Sequence, residues 1–172
     1  MKPDKEHDHH DYRWFSRIKV EHDALDQIFA SIEKTLRAMN TSDSKSHDPD
    51  LLSDARDDLS FALEEMLDHF GTEEETILLH IRESLPEFEE ETKQLERDHE
   101  ILCQKTSQLR KMLSVPNTED ALLDPNEALK IVTETTDLLS KHNRQEVQLF
   151  LNAFERFGPN ERRQLSKALE NH

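Results

Sequence analysis

Apolar residues recur at alternating intervals of three and four positions along four long segments of this sequence, and this spacing constrains the fold more than any other feature. It places the apolar side chains of each segment on one face of an α-helix. Prolines, a late glycine and turn-forming residues separate the segments, and these residues interrupt helices. The predicted helices cover residues 12–39, 49–82, 86–113 and 125–157.

Turn-forming and capping residues mark where these helices begin. Residues 40–48 are rich in Ser, Asp and Asn and predict a loop, in which Asp48 is the N-cap of the second helix. Ser84 and Glu87 have the spacing of a capping box ahead of the third helix. Asp124 precedes a proline and predicts an N-cap for the fourth helix.

Long helices joined by short connections predict an all-α fold, an antiparallel up-down-up-down four-helix bundle with a short C-terminal fifth helix. Gly158 and Pro159 end the fourth helix, and residues 160–170 form the fifth. The chain has 23 Leu and four Val, which argues against a β-rich fold. We predict a flexible N-terminal tail at 1–11 and a single bundle domain at 12–172.

The charge balance excludes several classes of partner. The chain has 172 residues and a net charge of −16, so we expect neither nucleic acid nor an anionic membrane surface to bind it.

The single cysteine excludes an internal disulfide framework or a cysteine-clustered zinc site. No apolar run has the length of a membrane span, and the N-terminus lacks the apolar core of a secretory signal. We therefore expect a soluble, cytoplasmic protein.

The predicted core stripes contain residues that do not belong in an apolar core. Each of the four stripes includes one histidine, and the second and fourth include a glutamate one turn later. A carboxylate in a core is costly unless a cation or a hydrogen-bond donor compensates its charge. The residues concerned are His22, His69, Glu73, His99, His142 and Glu146.

In an antiparallel bundle these six residues lie in one layer, about 15–20 Å from the end at which the first helix begins. The pairs His69–Glu73 and His142–Glu146 repeat the motif His-x-x-x-Glu, and each follows a helix that carries a single histidine. Positions i and i+4 share a helix face, so each pair can reach one centre. Two hairpins related by a pseudo-twofold axis predict two metal ions bridged by the two glutamates. Mixed imidazole and carboxylate ligands suit iron, manganese or zinc.

The motifs resemble those of the hemerythrin-like, or HHE cation-binding, family. The resemblance extends over residues 12–157, with all four helices in order. The matching segments are Glu21-His22-Asp-Ala-Leu25, His69-Phe70-x-x-Glu73-Glu74, Asp98-His99-Glu100 and His142-x-x-x-Glu146.

The resemblance implies a four-helix bundle that holds two non-haem iron ions with a bridging oxo or hydroxo group. By motif, the ligands would be the six residues of the layer. Members of the family bind dioxygen, respond to oxygen or iron, or act on peroxide and nitric oxide. This implies a protein that binds or senses dioxygen or iron, for which a non-catalytic role is the preferred interpretation. The alternative is a di-iron redox enzyme acting on peroxide, dioxygen or nitric oxide. We expect a sensor to need a separate signalling partner, and an enzyme a separate redox partner as electron donor.

The sequence departs from the family's oxygen carriers. The carriers have a fifth histidine one turn after that of the third helix, where this chain has Cys103. They also end in His-x-x-x-x-Asp, whereas this chain has His142-x-x-x-Glu146. A smaller ligand set favours sensing, metal handling or redox chemistry over reversible oxygen carriage.

Several other residues have both a functional and an ordinary interpretation. Cys103 could contact a metal, but a small buried hydrophobe is the preferred interpretation. His80 is expected at the rim of the site, and Tyr12 could donate a hydrogen bond to a ligand. Glu74 is expected on a solvated face, with a hydrogen bond to a ligand as the alternative. Trp14 and its neighbour Phe15 are expected to close one end of the bundle. A bundle that binds no metal is the third class of interpretation, and it leaves the two core carboxylates unexplained.

Overall fold

A computed structural model describes residues 13–41, 49–114 and 124–169. Helix α1 covers Arg13–Thr41 and α2 covers Pro49–Thr72. A π-helical segment at Glu73–Leu78 joins α2 to α3, Leu79–Ser84. A 3₁₀ turn at Pro86–Phe88 precedes α4, Glu89–Leu113. Helix α5 covers Pro125–Arg156, and α6 covers Pro159–Leu169.

The described residues contain no strand, which confirms the prediction of an all-α bundle. Helix α1 packs against α2 and α5, and α4 packs against the same two helices. Residues late in α1 contact residues early in α5, and residues earlier in α1 contact residues later in α5. Asn40 donates a side-chain hydrogen bond to Asn126, whereas His22, earlier in α1, faces Glu146, later in α5. Helices α1 and α5 are therefore antiparallel.

The contacts of α4 have the same sense. Lys105 of α4 pairs with Glu134 near the beginning of α5, and Glu87, just before α4, pairs with Arg156 at the end of α5. Arg82 at the end of α3 pairs with Glu96 early in α4. Helix α4 is thus antiparallel to both of its neighbours.

The apolar core is divided into two clusters that lie toward opposite ends of the bundle. One cluster includes Phe29, Leu59 and Leu109. The other includes Trp14, Phe150 and Phe157, together with Leu165 of α6. The buried histidines and glutamates lie between them, because each helix passes from one cluster to the other at its histidine. The rings of Trp14 and Phe15 meet those of Phe150 and Phe154 in tilted and edge-on contacts, as expected of aromatic residues that close this end of the bundle.

Two predicted helix boundaries have different outcomes. Asp124 is the N-cap of α5, and its carboxylate accepts hydrogen bonds from the backbone N–H groups of Asn126 and Glu127, as predicted. The capping box was wrong. Ser84 ends α3, and Leu85 then leaves the helical conformation, so Pro86 opens a 3₁₀ turn without a side-chain cap. Proline disfavours a helical conformation in the residue before it, which separates Ser84 from the next helix.

Some predictions concern positions outside the described residues. These are the tail at 1–11, Tyr12, the cap at Asp48 and the loop at 115–123. The extent of the domain, 12–172, stays a prediction. Among the described residues, none of the helices has the length and apolar character needed to cross a membrane.

Candidate metal centre

The six residues of the predicted layer come together in the interior of the bundle. His22 is on α1, His69 on α2, His99 on α4 and His142 on α5. Glu73 is the first residue of the π segment, and Glu146 is one turn after His142. All six are buried, with at most 6% of each residue exposed to solvent.

The first group of side chains combines both glutamates with the histidines of the first helical hairpin. The Nε2 atoms of His22 and His69 face each other at 3.0 Å. Glu73 Oε1 lies 3.1 Å from Nε2 of His69, and Glu146 Oε2 lies 3.1 Å from Nε2 of His22. Two ring nitrogens and two carboxylates therefore converge on a small volume.

The second group combines Glu73 with the histidines of the second hairpin. Glu73 Oε2 lies 3.3 Å from Nε2 of His99, and Glu146 Oε2 lies 3.3 Å from Nε2 of His142. Potential ligand atoms of Glu73, His99 and His142 all lie within 4.8 Å of one another. Glu73 thus belongs to both groups, with one carboxylate oxygen toward each. Glu146 instead presents a single oxygen, Oε2, to a histidine of each group.

The π segment positions Glu73 and was not predicted from the sequence. A π-helix has hydrogen bonds from i to i+5, so its wider turn changes which residues face the core. Beyond Glu73 the buried residues are Thr76, Ile77, Leu78 and Ile81. The sequence carries no separate signal for this turn, because apolar Leu79 follows in the same run and is exposed, and adjacent buried pairs such as Ile131 and Val132 also occur in the regular helix α5.

Burial and neighbouring groups shift the pKa values of Glu73, Glu146 and His99. Burial and the neighbouring carboxylate of Glu146 raise the pKa of Glu73 well above its ordinary value. Burial also acts on Glu146, but the nearby rings of His142 and His22 outweigh it and lower the pKa of this carboxyl. Burial, with the ring of His142 close by, lowers the pKa of His99 to about 2. A lowered pKa keeps the His99 ring neutral, and a neutral imidazole is the form that binds a metal ion.

Several potential ligand atoms have no hydrogen-bond partner among the described residues. They are both carboxylate oxygens of Glu73 and of Glu146, and the Nε2 atoms of His99 and His142. Buried polar atoms without partners are costly, and a bound cation would satisfy all of them at once. The residues present therefore fit a metal centre with imidazole and carboxylate ligands.

Two further carboxylates orient the histidines from outside the centre. His69 donates a hydrogen bond from Nδ1 to Glu21 at 2.7 Å, and His99 donates one from Nδ1 to Glu74 at 2.7 Å. Each bond holds the ring as the tautomer that leaves Nε2 free to bind a metal. For Glu74, the structure shows the alternative interpretation, a hydrogen bond to a proposed ligand. A role for Glu21 was not predicted, because its partner is 48 positions away in the chain.

Phe70 fixes the second group by stacking. Its ring lies parallel to that of His99, with centroids 3.9 Å apart and an interplanar angle of 7°. It also meets the ring of His142 edge-on at 5.6 Å. A buried ring on two of the histidines restricts their rotation and excludes water from one side of the centre.

The remaining candidates lie outside both groups. Cys103 is half-buried and packs against the apolar cluster, and burial raises the pKa of its thiol. His80 lies against the ring of Phe157 at 5.1 Å between centroids. Gly71 has no atom within 4 Å of the position that a Cβ would occupy.

The protein is an all-α bundle with a buried cluster of histidines and glutamates. Helical bundles of this class can bind metal ions in their core. The family model of the hemerythrin HHE cation-binding domain matches residues 15–154. The chain belongs to this family. A search of curated proteins returned no match, and neither did a search of solved structures.

Proposed function

We propose that this protein is a non-haem di-iron protein that binds or senses dioxygen or iron. The observation that carries the proposal is the convergence of four imidazole Nε2 atoms and two buried carboxylates whose oxygens have no hydrogen-bond partner in the described structure. The proposed ligands are His22, His69, Glu73, His99, His142 and Glu146.

The side chains of this centre have distinct roles in the proposal. Glu73 would help to hold both metal ions, because its Oε1 faces His69 and its Oε2 faces His99, and Glu146 would do the same, because its Oε2 faces both His22 and His142. Glu21 orients the ring of His69, and Glu74 orients the ring of His99. Phe70 excludes water from the side of the centre at His99. When bound, an iron pair supplies redox chemistry and open coordination positions for a small molecule such as dioxygen, peroxide or nitric oxide.

Metal analysis tests the identity of the centre. The full chain should be expressed in iron-replete cells and purified without a nickel column. We expect about two iron atoms per chain and the near-ultraviolet absorption of an oxo- or hydroxo-bridged pair. Zinc at one atom per chain, or no metal at all, would contradict the proposal. Manganese in both positions would preserve the site but change the metal.

Exposure of the reduced protein to air separates a sensor from an oxygen carrier. With four imidazoles identified, at least one coordination position remains for water or a small molecule, which favours oxidation of ferrous iron over reversible binding. We expect the anaerobically reduced protein to oxidise within minutes in stopped-flow spectra and to consume peroxide slowly. A spectrum that reverts when dioxygen is removed would indicate a carrier. Rapid catalytic turnover of peroxide with an added electron donor would favour the redox enzyme instead.

A further inference from the structure

A cavity of about 210 Å³ lies beside the candidate metal centre. It is bounded by α1, by the end of α2 with the π segment, and by α6. His69 and Glu73 form its inner side, and Ile18, Ile77 and Leu169 contribute apolar walls. A cavity of about 150 Å³ is enough for benzene, so this one exceeds the needs of a diatomic gas.

Besides the carboxylate oxygens of Glu73, two polar atoms of the residues that line the cavity are buried without a hydrogen-bond partner in the described structure. They are the indole Nε1 of Trp14, on α1, and the hydroxyl of Ser166, on α6. Trp14 is only 8% exposed, so water has little access to its N–H from outside. A buried donor without a partner is costly, and a ligand that carries an acceptor oxygen removes that cost.

The charges around the cavity select an uncharged ligand. Among the described residues that line it, Arg17 is the one with a permanent positive charge, and Glu21 already binds its guanidinium at 2.7 Å. Glu21 in turn accepts the hydrogen bond from His69, and Glu73 faces the centre. An anion would therefore meet carboxylates without a free cation, and a cation would compete with pairs that are already formed.

We propose that this cavity binds a small uncharged organic molecule of about the size of a six-membered ring, with an oxygen that accepts a hydrogen bond from Trp14 Nε1. The apolar body of the ligand lies against Ile18, Ile77 and Leu169, and Ser166 offers a second hydrogen bond. The role of this molecule as a substrate or effector of the metal centre rests on the proposed function, whereas its binding in the cavity does not.

The test uses cyclohexanone as the probe, because it is uncharged and carries one acceptor oxygen. The chain has one tryptophan, so the ¹H–¹⁵N spectrum of the full chain has one indole resonance. Zinc-loaded protein keeps the centre filled and diamagnetic. We expect a saturable shift of the indole resonance with a Kd of about 1 mM. Cyclohexanecarboxylate, the matched anion, should bind about tenfold more weakly.

Two serine variants test the geometry. Ser166→Ala should weaken cyclohexanone binding roughly threefold to tenfold, since one hydrogen bond is lost. Ser140→Ala is the matched control, because Ser140 is a half-buried serine of α5 outside the cavity. Equal binding by all three proteins would overturn the assignment of Ser166. A linear shift without saturation in the unmodified protein, the result for a cavity that holds only water, would overturn the site.

Replacement of zinc by manganese tests the position relative to the centre. Paramagnetic manganese should broaden the proton lines of bound cyclohexanone strongly, because His69 and Glu73 line the cavity. Unchanged line widths in a protein that contains manganese would show that the ligand lies elsewhere. Cyclohexanone binding by a chain that takes up no metal would contradict the proposed function and leave the cavity site standing. Full metal content without cyclohexanone binding would do the reverse.

Discussion

The two helical hairpins carry the same motif but fold it differently. In the second hairpin, His142 and Glu146 lie in the uninterrupted helix α5. In the first hairpin, α2 gives way to a π segment at Glu73, one turn after His69. A repeated sequence motif thus produces two different local structures.

This difference changes how each carboxylate faces the histidines. Glu73 has Oε1 near His69 and Oε2 near His99, whereas Glu146 places Oε2 alone near His22 and His142. Their electrostatic environments also differ, since the pKa of Glu73 is raised and that of Glu146 is lowered. The pseudo-twofold symmetry of the motif therefore does not extend to the geometry of the carboxylates.

The surroundings of the two hairpins differ as well. The cavity beside the first hairpin is mostly apolar and is covered by α6. A groove of about 770 Å³ between α4 and α5 is lined by residues such as Arg97, Lys141 and Arg144, and none of the six residues of the centre lines it. The π segment contacts α6. Of the cavity and the groove, the cavity beside the first hairpin is the one that reaches the centre, through His69 and Glu73.

The largest expected effect comes from Glu73→Gln. An amide offers one good acceptor oxygen in place of two, so we expect this variant to lose most of both metal ions. Glu146→Gln keeps an oxygen at the position of Oε2, and we expect it to retain at least one ion. Inductively coupled plasma analysis measures the metal content of the two purified variants and so tests this difference. Equal losses would restore the symmetric assignment in which both glutamates bridge alike, which the sequence repeat favours.

Removal of metal should have the next largest effect. Bound metal stabilises the folded chain by about 4 kcal/mol when its free concentration is about 1,000 times Kd. Without metal the π segment should loosen more than α5, because Glu73 loses the partners of both its oxygens. Amide hydrogen exchange should therefore increase more at 73–78 than at 142–150. Equal unfolding temperatures with and without metal would contradict the expected stabilisation.

The carboxylates outside the centre should contribute less. Glu21→Gln and Glu74→Gln each weaken the hydrogen bond to one imidazole, and changes of this kind cost about 10- to 100-fold in metal affinity. We expect Glu21→Gln to act on the ion nearer His69, and Glu74→Gln on the ion nearer His99. Competition with a chelator, followed over the release of two metal equivalents, measures the change in affinity for each ion. Glu155→Gln, an exposed glutamate of α5, is the control and should leave affinity unchanged.

The smallest expected effect is that of Gly71→Ala. A Cβ at this position meets no atom within 4 Å, and glycine inside a helix costs about 1 kcal/mol relative to alanine. We expect a gain in stability of up to about 1 kcal/mol with unchanged metal content, as measured by denaturant unfolding. Loss of metal in this variant would mean that the glycine is needed for the transition from α2 to the π segment.

Local pattern determined much of this protein. The spacing of apolar residues predicted the helices, and the level of the six histidines and glutamates followed from helix rise and antiparallel order. Both depend on periodicities that each helix carries by itself. The capping box at Ser84 failed because the effect of Pro86 on Leu85 outweighed a matching pair of residue types.

Contacts between distant parts of the chain decided the rest. The wider turn at Glu73, the hydrogen bond from His69 to Glu21 and the cavity covered by α6 each depend on side chains that meet only after the helices pack. Helix periodicity places a residue on a face, but it does not determine which oxygen of a carboxylate meets which imidazole. The sequence alone therefore determined that four histidines and two glutamates share one layer of a helical bundle. Only the tertiary structure decided how Glu73 and Glu146 divide that layer, because their environments are set by neighbours from other helices.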